Sequence, residues 1–467
     1  MRPGLMSWAF LLRVYWVYCF VYWGHPTEFI GDTRLSPFNF IGFIGHNRGV
    51  QNKIKWGQSG VPNKLKKTPK NPNKPNIRRD GILSDMKLKL GLAPMEGVTD
   101  FATRLWFQWI GGMDFTWTPF LRVTDTFPLK FPEFFAPELE RLKGRFPVPL
   151  TVQVMGSRPD DVVRTHDLLQ DRVSFLDLNC GCPSPTVVGS RAGSSLLERA
   201  DIFRSFIDFV TARVGPGRLS VKMRTGFHTA SEFPTLLSAI ADQPLRHVTV
   251  HGRTRPARYT GKADWNLVAM AAKRLACPVI GSGDLCDKEQ VICVQQGLPK
   301  LETAMIGRGA LRNPWIFNGA ITSPVIAALV AFIVLQDTQF ESPEFLINHA
   351  VSANDVPFGG MEVDDFTRQA LMIMRSRGQS VSQLSDIVVS SRALSRGKML
   401  WNYLRTSLPE PFMEPRLMRS SSLAVLIQGI EDISRQHGYH SARLPLSYRP
   451  DLDWMFSGEG RGAKPGQ

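Results

Sequence analysis

The sequence predicts a (β/α)8 barrel followed by a smaller all-helical domain, and three observations carry that expectation. Short apolar, β-branched runs alternate with helix-like segments eight times between Leu88 and Phe317. Such alternation implies a parallel sheet covered on both faces, and eight units in about 230 residues is the economy of a closed barrel. Polar residues gather at the carboxyl ends of the runs, where a barrel collects its site. The third is an absence: a doubly wound nucleotide-binding sheet needs a Gly-rich turn after its first strand, and the sequence there is Ala93-Pro94-Met95-Glu96-Gly97-Val98-Thr99-Asp100.

The expected strands are Leu88–Ala93, Phe115–Pro119, Leu150–Met155, Phe175–Asn179, Leu219–Met223, His247–Val250, Pro278–Ile280 and Thr303–Ile306. Helical periodicity lies between them at Asp160–Leu169, Ala200–Ala212, Trp265–Leu275 and Lys288–Gln295, several opening on Asp, Ser or Pro. Gln153, Asn179 with Cys182, Lys222, His251, Gly283 and Gly307-Arg308 then stand at or just after strands three to eight. Further on, an apolar run from Val325 to Leu335 is too short to span a bilayer and reads as a buried helix. Helical patterns recur at Asp364–Arg377 and Ser391–Arg405, whereas Asp337–Asp364 is poorly patterned and reads as an insertion. Residues 86–320 are therefore the expected barrel and 360–450 the expected helical domain, with a disordered Gly/Arg-rich tail after Ser457.

Of 467 residues, 56 are Lys or Arg and 41 Asp or Glu, a formal charge of +15 that favours polyanionic partners. Part of that charge lies in an unusual extension, residues 1–85. Trp8–Trp23 is aromatic and apolar but broken by Arg13, and Arg48–Arg79 holds ten basic residues, no acidic ones and several prolines. A targeting address, a basic arm and an extension dispensable to the enzyme are all open readings. Thirteen basic and four acidic residues precede Met86, which leaves +6 for the remainder. Six cysteines in a chain this long exclude a disulfide scaffold and suit a reducing, cytoplasmic setting.

Each candidate residue has a functional and a plain reading. Cys180-Gly181-Cys182-Pro183 lacks a second Cys or His pair at metal spacing, so no metal is expected. A thiol of ordinary pKa, near ~8.5, is mostly protonated at neutral pH, so Cys182 suits a proton donor, with simple packing as the alternative. Lys222 on an inward strand position calls for an anionic partner or a Schiff-base role. His251 is either a satisfied core histidine or a contact to cofactor or substrate. Gly283 and Gly307-Arg308 follow strands seven and eight, where barrels hold phosphate on backbone N–H groups.

Six strings together resemble the tRNA-dihydrouridine synthase family: Leu-Ala-Pro-Met-Glu-Gly-Val-Thr-Asp (92–100), Val-Gln-Val-Met-Gly (152–156), Asp-Leu-Asn-Cys-Gly-Cys-Pro-Ser (177–184), Ser-Val-Lys-Met-Arg-Thr-Gly (220–226), His-Gly-Arg-Thr (251–254) and Met-Ile-Gly-Arg-Gly-Ala (305–310). The third is the most specific, and its Asn-Cys-Gly-Cys-Pro-Ser version is similar to the bacterial C subgroup. The resemblance is strong over 86–320 and weak over 390–405. It implies an FMN enzyme, reduced by NADPH, that reduces the C5=C6 bond of uridines in tRNA, acting as a monomer and without a metal. Cys182 is implied as the acid. Pro94, Met95, Gln153, Lys222, His251, Ser282, Gly283, Asp284, Gly307 and Arg308 are implied to bind the flavin. Asn179, Arg224, Tyr259, Arg396 and Lys398 are implied to face the RNA substrate. Arg253, Arg255, Arg258 and Lys262 suggest a basic rim, which also has the plain reading of a solvated loop.

The sequence departs from the family pattern at three places. Ser282 replaces an Asn of the phosphate loop, Gly189–Ser195 carries more side chains than usual, and Thr118-Pro119-Phe120 lacks a Glu expected of the C subgroup. An FMN barrel acting on a small pyrimidine-like molecule is the alternative enzyme. A degenerate barrel that only binds RNA is the non-enzymatic one.

Overall fold

The computed structural model describes residues 88–125, 135–318, 322–323, 325–352, 361–441 and 444–446; the expectations for residues 1–85 and for the tail lie outside them. Eight parallel strands form the barrel: β1 (Lys89–Leu92), β2 (Phe115–Trp117), β3 (Leu150–Met155), β4 (Leu176–Cys180), β5 (Leu219–Arg224), β6 (Val248–His251), β7 (Val279–Ser282) and β8 (Thr303–Ile306). Each pairs with the next, and β8 returns to β1 in the register Lys89↔Thr303 to Leu92↔Ile306, closing the sheet. A two-residue strand, Leu121–Arg122, pairs with Val154 and Met155 and carries the β2 edge beyond Thr118–Phe120.

All eight expected strands form, with ends shifted by at most two residues. Their two-residue alternation explains why both faces are covered. Val248 and Val250 of β6 join the large core under the helices, whereas Thr249 and His251 alternate with them toward the barrel interior. Phe115, Trp117, Ile280, Met305 and Ala93 plug that interior as a separate apolar cluster. Polar interior positions nearer the carboxyl ends complete the filling, so the barrel is a packed body with its chemistry confined to one mouth.

The surrounding helices are α1 (Phe101–Ile110), α2 (Pro159–Leu169), α3 (Ala200–Val214), α4 (Phe233–Ile240), α5 (Trp265–Arg274), α6 (Lys288–Gly297) and α7 (Arg308–Arg312). Asp100, Asp264 and Asp287 cap α1, α5 and α6 through side-chain oxygens that accept backbone N–H groups. Helices α1 and α4 were not among the expected elements. All ten residues of α1 are buried, and its Arg104 is neutralised by Glu138 at 2.8 Å.

The carboxyl-terminal helices are α8 (Val325–Glu341), α9 (Pro343–Ser352), α10 (Val363–Ser376), α11 (Ser391–Leu404) and α12 (Leu423–Gln436). Helix α8 extends the apolar run expected at 325–335 and is buried from Val325 through Thr338, packing on α1, α10 and α11. Among the described residues no helix is long and apolar enough to cross a membrane. The stretch Asp337–Asp364, read as poorly patterned, holds the end of α8 and all of α9. Asp337 is itself structural, accepting from Arg377 at 2.7 Å and from the Ser390 backbone N–H at 2.7 Å. Its polar side chain interrupts the apolar pattern because it ties three helical segments together, which made the stretch look unpatterned.

Candidate active site at the barrel mouth

Strands β3, β4 and β5 bring Gln153, Asp177, Asn179, Ser220 and Lys222 side by side in register, with Asp177 and Ser220 one layer below Asn179 and Lys222. Ser220 Oγ donates to one Asp177 oxygen at 2.6 Å and Gln153 Nε2 to the other at 2.7 Å. Asn179 Nδ2 donates to Gln153 Oε1 at 2.9 Å, and Asn179 Oδ1 accepts the Gly181 and Cys182 N–H groups at 3.0 and 2.9 Å. The loop after β4 thus leaves the strand with its backbone held by a buried side chain.

From the other side, Ser194 Oγ and N–H donate to the Cys182 carbonyl at 2.8 and 3.2 Å. Gly193 lies so close that a Cβ there would come within 3.2 Å of the Cys182 Cβ. The extra side chains of the 189–195 loop therefore do not fill the mouth: Ser194 is buried against Cys182, and Arg191 points to solvent. Phe120, in the segment lacking the expected Glu, packs with Cys182, Met155, Val187 and Ala192.

Cys182, Lys222 and His251 retain a little accessible surface because they face the mouth, with protein on every other side. Burial pushes the Cys182 thiol above its ordinary range, and Glu96 adds to the shift; the Ser184 backbone, Arg224 and Lys222 act against it. Burial and Arg224 pull Lys222 down to about 8, with Asp177 and Cys182 opposing. His251 is pushed well below its usual range by burial and by Arg224, Lys222, Arg253 and Arg308, so it is neutral. Its Nε2 lies 3.2 Å from Arg253 Nη1, which can only donate, so the ring proton sits on Nδ1.

Arg224, expected to face substrate, is mostly occupied with the scaffold. Its Nε donates to Gly181 O at 2.8 Å and its Nη1 to Thr254 O and Arg258 O at 2.9 Å. Arg253, placed on a basic rim by the sequence pattern, is instead buried and paired with Asp284 at 2.6 Å. Asp284 also accepts the Ala263 N–H at 2.7 Å, so its carboxylate serves the loop while its own backbone N–H remains for an anion. Arg258 and Lys262 are exposed, consistent with a rim; Arg255 packs on Phe227 at 3.9 Å. Arg308 stacks over the exposed Tyr259 ring at 4.2 Å, with Arg224 at 5.7 Å, and has no hydrogen bond among the described residues. Ser282 pairs with His251 across β6–β7. Gly309 admits no side chain, since a Cβ would stand 1.7 Å from Leu285 O, and this close approach sets Gly307 and Arg308 against the β7 loop.

Pro94 and Met95 begin a turn in which Met95 O accepts the Val98 and Thr99 N–H groups at 3.0 Å and the Met95 N–H donates to Thr99 Oγ1 at 2.9 Å. Arg396, expected at the RNA, is a clasp on this turn. Its guanidinium donates to Gly97 O, to Val98 O at 3.0 Å, to Asp100 at 3.0 Å and to Gln336 at 3.1 Å. Lys398 donates to Ser420 O at 3.2 Å, away from the mouth cluster. The expected site residues on the barrel thus converge, while these two helical-region residues spend their donors inside the protein. Replacing Arg396 with Met should loosen the 94–98 turn and speed amide exchange at Val98 and Thr99 about tenfold, since hydrogen bonds from a charged donor are worth about 1.5–3 kcal/mol. Hydrogen exchange at these amides checks this; an unchanged rate would show that the clasp is irrelevant to the turn.

The chain matches the family description "Dihydrouridine synthase (Dus)" over residues 91–328, from within β1 through β8 and into α8. It belongs to the dihydrouridine synthase family. Among Dus relatives, a tRNA-dihydrouridine(47) synthase-like protein of Oryza sativa subsp. japonica is 33% identical over 249 residues, 52% of this chain and 35% of that protein. The tRNA-dihydrouridine(16) synthase of Haemophilus ducreyi is 34% identical over 238 residues, covering 48% and 71%. That of Salmonella typhimurium is 32% identical over 236 residues, covering 49% and 74%. The chain therefore spans only about a third of the rice relative's length. A likeness to the old yellow enzyme of Trypanosoma cruzi is slight, with a TM-score of 0.33 at 8% identity over 48% of this chain and 85% of that one.

Three residues of this Dus site escaped the sequence reading: Asp177, Glu96 and Ser194. Asp177 and Glu96 stood inside recognised strings, but only the fold shows what they touch. Glu96 reaches solvent, yet enough protein surrounds it in the mouth to raise its carboxyl to about 7 by desolvation. Its charge also bears on the Cys182 thiol. Among the described residues no group of three His, Cys, Asp or Glu could hold a metal ion.

Proposed function

We propose that the chain reduces uridines of tRNA to 5,6-dihydrouridine, with FMN as its cofactor and NADPH as reductant. The observation that carries this reading is the Cys182 thiol, held protonated by burial at the same mouth as Lys222 and Arg308, which makes no hydrogen bond among the described residues. The mouth fits FMN on its donor set. Lys222, Arg224, Arg253 and Arg308 converge there, Asp284 neutralises one of them, and the β7 and β8 loops offer backbone N–H groups for a phosphate. Lys222 and Gln153 would hold the flavin ring, with Pro94 and Met95 along its edge; His251, Ser282, Gly283, Asp284, Gly307 and Arg308 would surround the phosphate.

When bound, FMN supplies hydride to C6 of the uracil. Cys182 holds the proton that C5 takes up. The thiolate left behind is stabilised by the Ser184 N–H and by Arg224 and Lys222, the groups that oppose the upward shift of the thiol. Tyr259, exposed beside Arg308 and Arg224, offers its ring to a base turned out of the RNA. Asn179 acts by fixing the cysteine loop. Arg258 and Lys262 supply phosphate contacts.

We further infer a monomeric, cytoplasmic protein that needs no metal. Its barrel is placed at 86–320 and its helical RNA-binding domain at 360–450, with residues 1–85 dispensable for catalysis. Membership of the C subgroup is part of the proposal. The purified chain should release stoichiometric FMN on denaturation, and its visible flavin absorption should bleach with NADPH. A chain that takes up no FMN would refute the reading. A reduced flavin left unchanged by tRNA but reoxidised by a free pyrimidine would favour a small-molecule reductase.

A further inference from the structure

We propose that Asp177 is a positioning residue that fixes the Cys182 loop through a one-way hydrogen-bond relay, Asp177–Gln153–Asn179–Cys182. The direction of the relay follows from its cysteine end. Backbone N–H groups of Gly181 and Cys182 can only donate, so Asn179 must turn Oδ1 toward them. Its amide nitrogen then points at Gln153 and donates to Oε1. Gln153 in turn has only Nε2 left to offer, and the group that receives it must be an acceptor. That group is Asp177, fully buried and held from its other oxygen by Ser220.

An amide at 153 or 179 rotated by 180° would set oxygen against oxygen or N–H against N–H, and Asp177, Gln153 and Asn179 are all buried, so no water lies ready to repair the mismatch. Asp177 therefore sets the orientation of two amides and, through them, the backbone that presents the thiol. It touches neither thiol nor substrate. A counter-charge for Lys222 is a different role, and the two predict different variants. Asparagine at 177 keeps an acceptor toward Gln153 but loses the charge; leucine loses both.

The catalytic consequence rests on Cys182 being the acid of the proposed reaction, but the relay is tested without it. Site-resolved alkylation by iodoacetamide is followed on the full-length oxidised protein, with circular dichroism as the check on folding. In the parent, Cys182 is partly shielded and its backbone pinned. Asp177→Leu should speed its alkylation about tenfold, the equivalent of one lost buried hydrogen bond, whereas Asp177→Asn should stay within about twofold. Equal acceleration in both would overturn the relay in favour of the counter-charge; no change in either would reduce Asp177 to packing. Should Asp177→Leu not fold, Gln153→Met cuts the same chain with Asp177–Ser220 intact, and there an unchanged rate overturns the proposal. Alkylation needs no RNA, so an absence of tRNA-dependent turnover refutes the reductase reading without touching this result.

Discussion

Replacing Cys182 with alanine should slow tRNA-dependent reoxidation of the reduced enzyme about 10²–10⁴-fold, the range typical of a lost general acid, and slow reduction by NADPH far less. The asymmetry is the point. The thiol lies beyond Asn179 on the β4 loop, and no step before the uracil arrives draws on its proton. A merely structural cysteine would affect both halves together or neither. The pH profile carries a sign as well. An acid must be protonated to act, and burial raises this thiol above its ordinary range. Reoxidation should therefore hold through neutrality and fall only as pH rises past that range. Cys182→Ser should recover little, because a hydroxyl gives up its proton far less readily than a thiol. Stopped-flow measurement of the two half-reactions separates these outcomes.

Replacing Lys222 with methionine should weaken FMN binding about 10–100-fold, the cost of a charge-assisted hydrogen bond to an anionic partner. Lys222 is surrounded by protein, and although the Asp177 charge favours its ammonium form, burial and Arg224 prevail and leave its pKa at about 8 in the free protein. Binding that needs the ammonium form is strongest below that pH. It should weaken as pH rises through about 8, by up to tenfold per unit above it. Lys222→Met should be weaker and flat across the same window. Fluorescence titration of the apoprotein from pH 6.5 to about 9.5 spans the transition; a parent curve with no decline would show that the ammonium is not what the flavin meets.

Much of this site was legible in the sequence because a barrel writes its chemistry at strand ends. Gln153, Asn179, Lys222 and His251 each close or follow a β-branched run, and the structure brings them to one mouth. Asp177 was hidden by that same regularity. It lies two residues before Asn179, on the same face and one layer deeper, and nothing local says that its oxygens are shared between Ser220 and Gln153. Arg396 misled for the opposite reason. A basic residue on an amphipathic helix reads as a surface charge, and its partners, Gly97, Val98 and Asp100, lie almost three hundred residues away in the chain. Arg253 failed likewise, being one of four cations in a run of which only the fold buries it against Asp284. Helix α8 was found because a wholly apolar run admits few other fates.

The most direct test of the central claim is a single-turnover experiment. The holoprotein is reduced with NADPH under anaerobic conditions, mixed with tRNA lacking modifications, and followed for both flavin reoxidation and dihydrouridine in the digested RNA. The account predicts reoxidation matched mole for mole by new dihydrouridine, both lost in Cys182→Ala. A flavin that stays reduced in the presence of tRNA, or reoxidises without forming dihydrouridine, would contradict it.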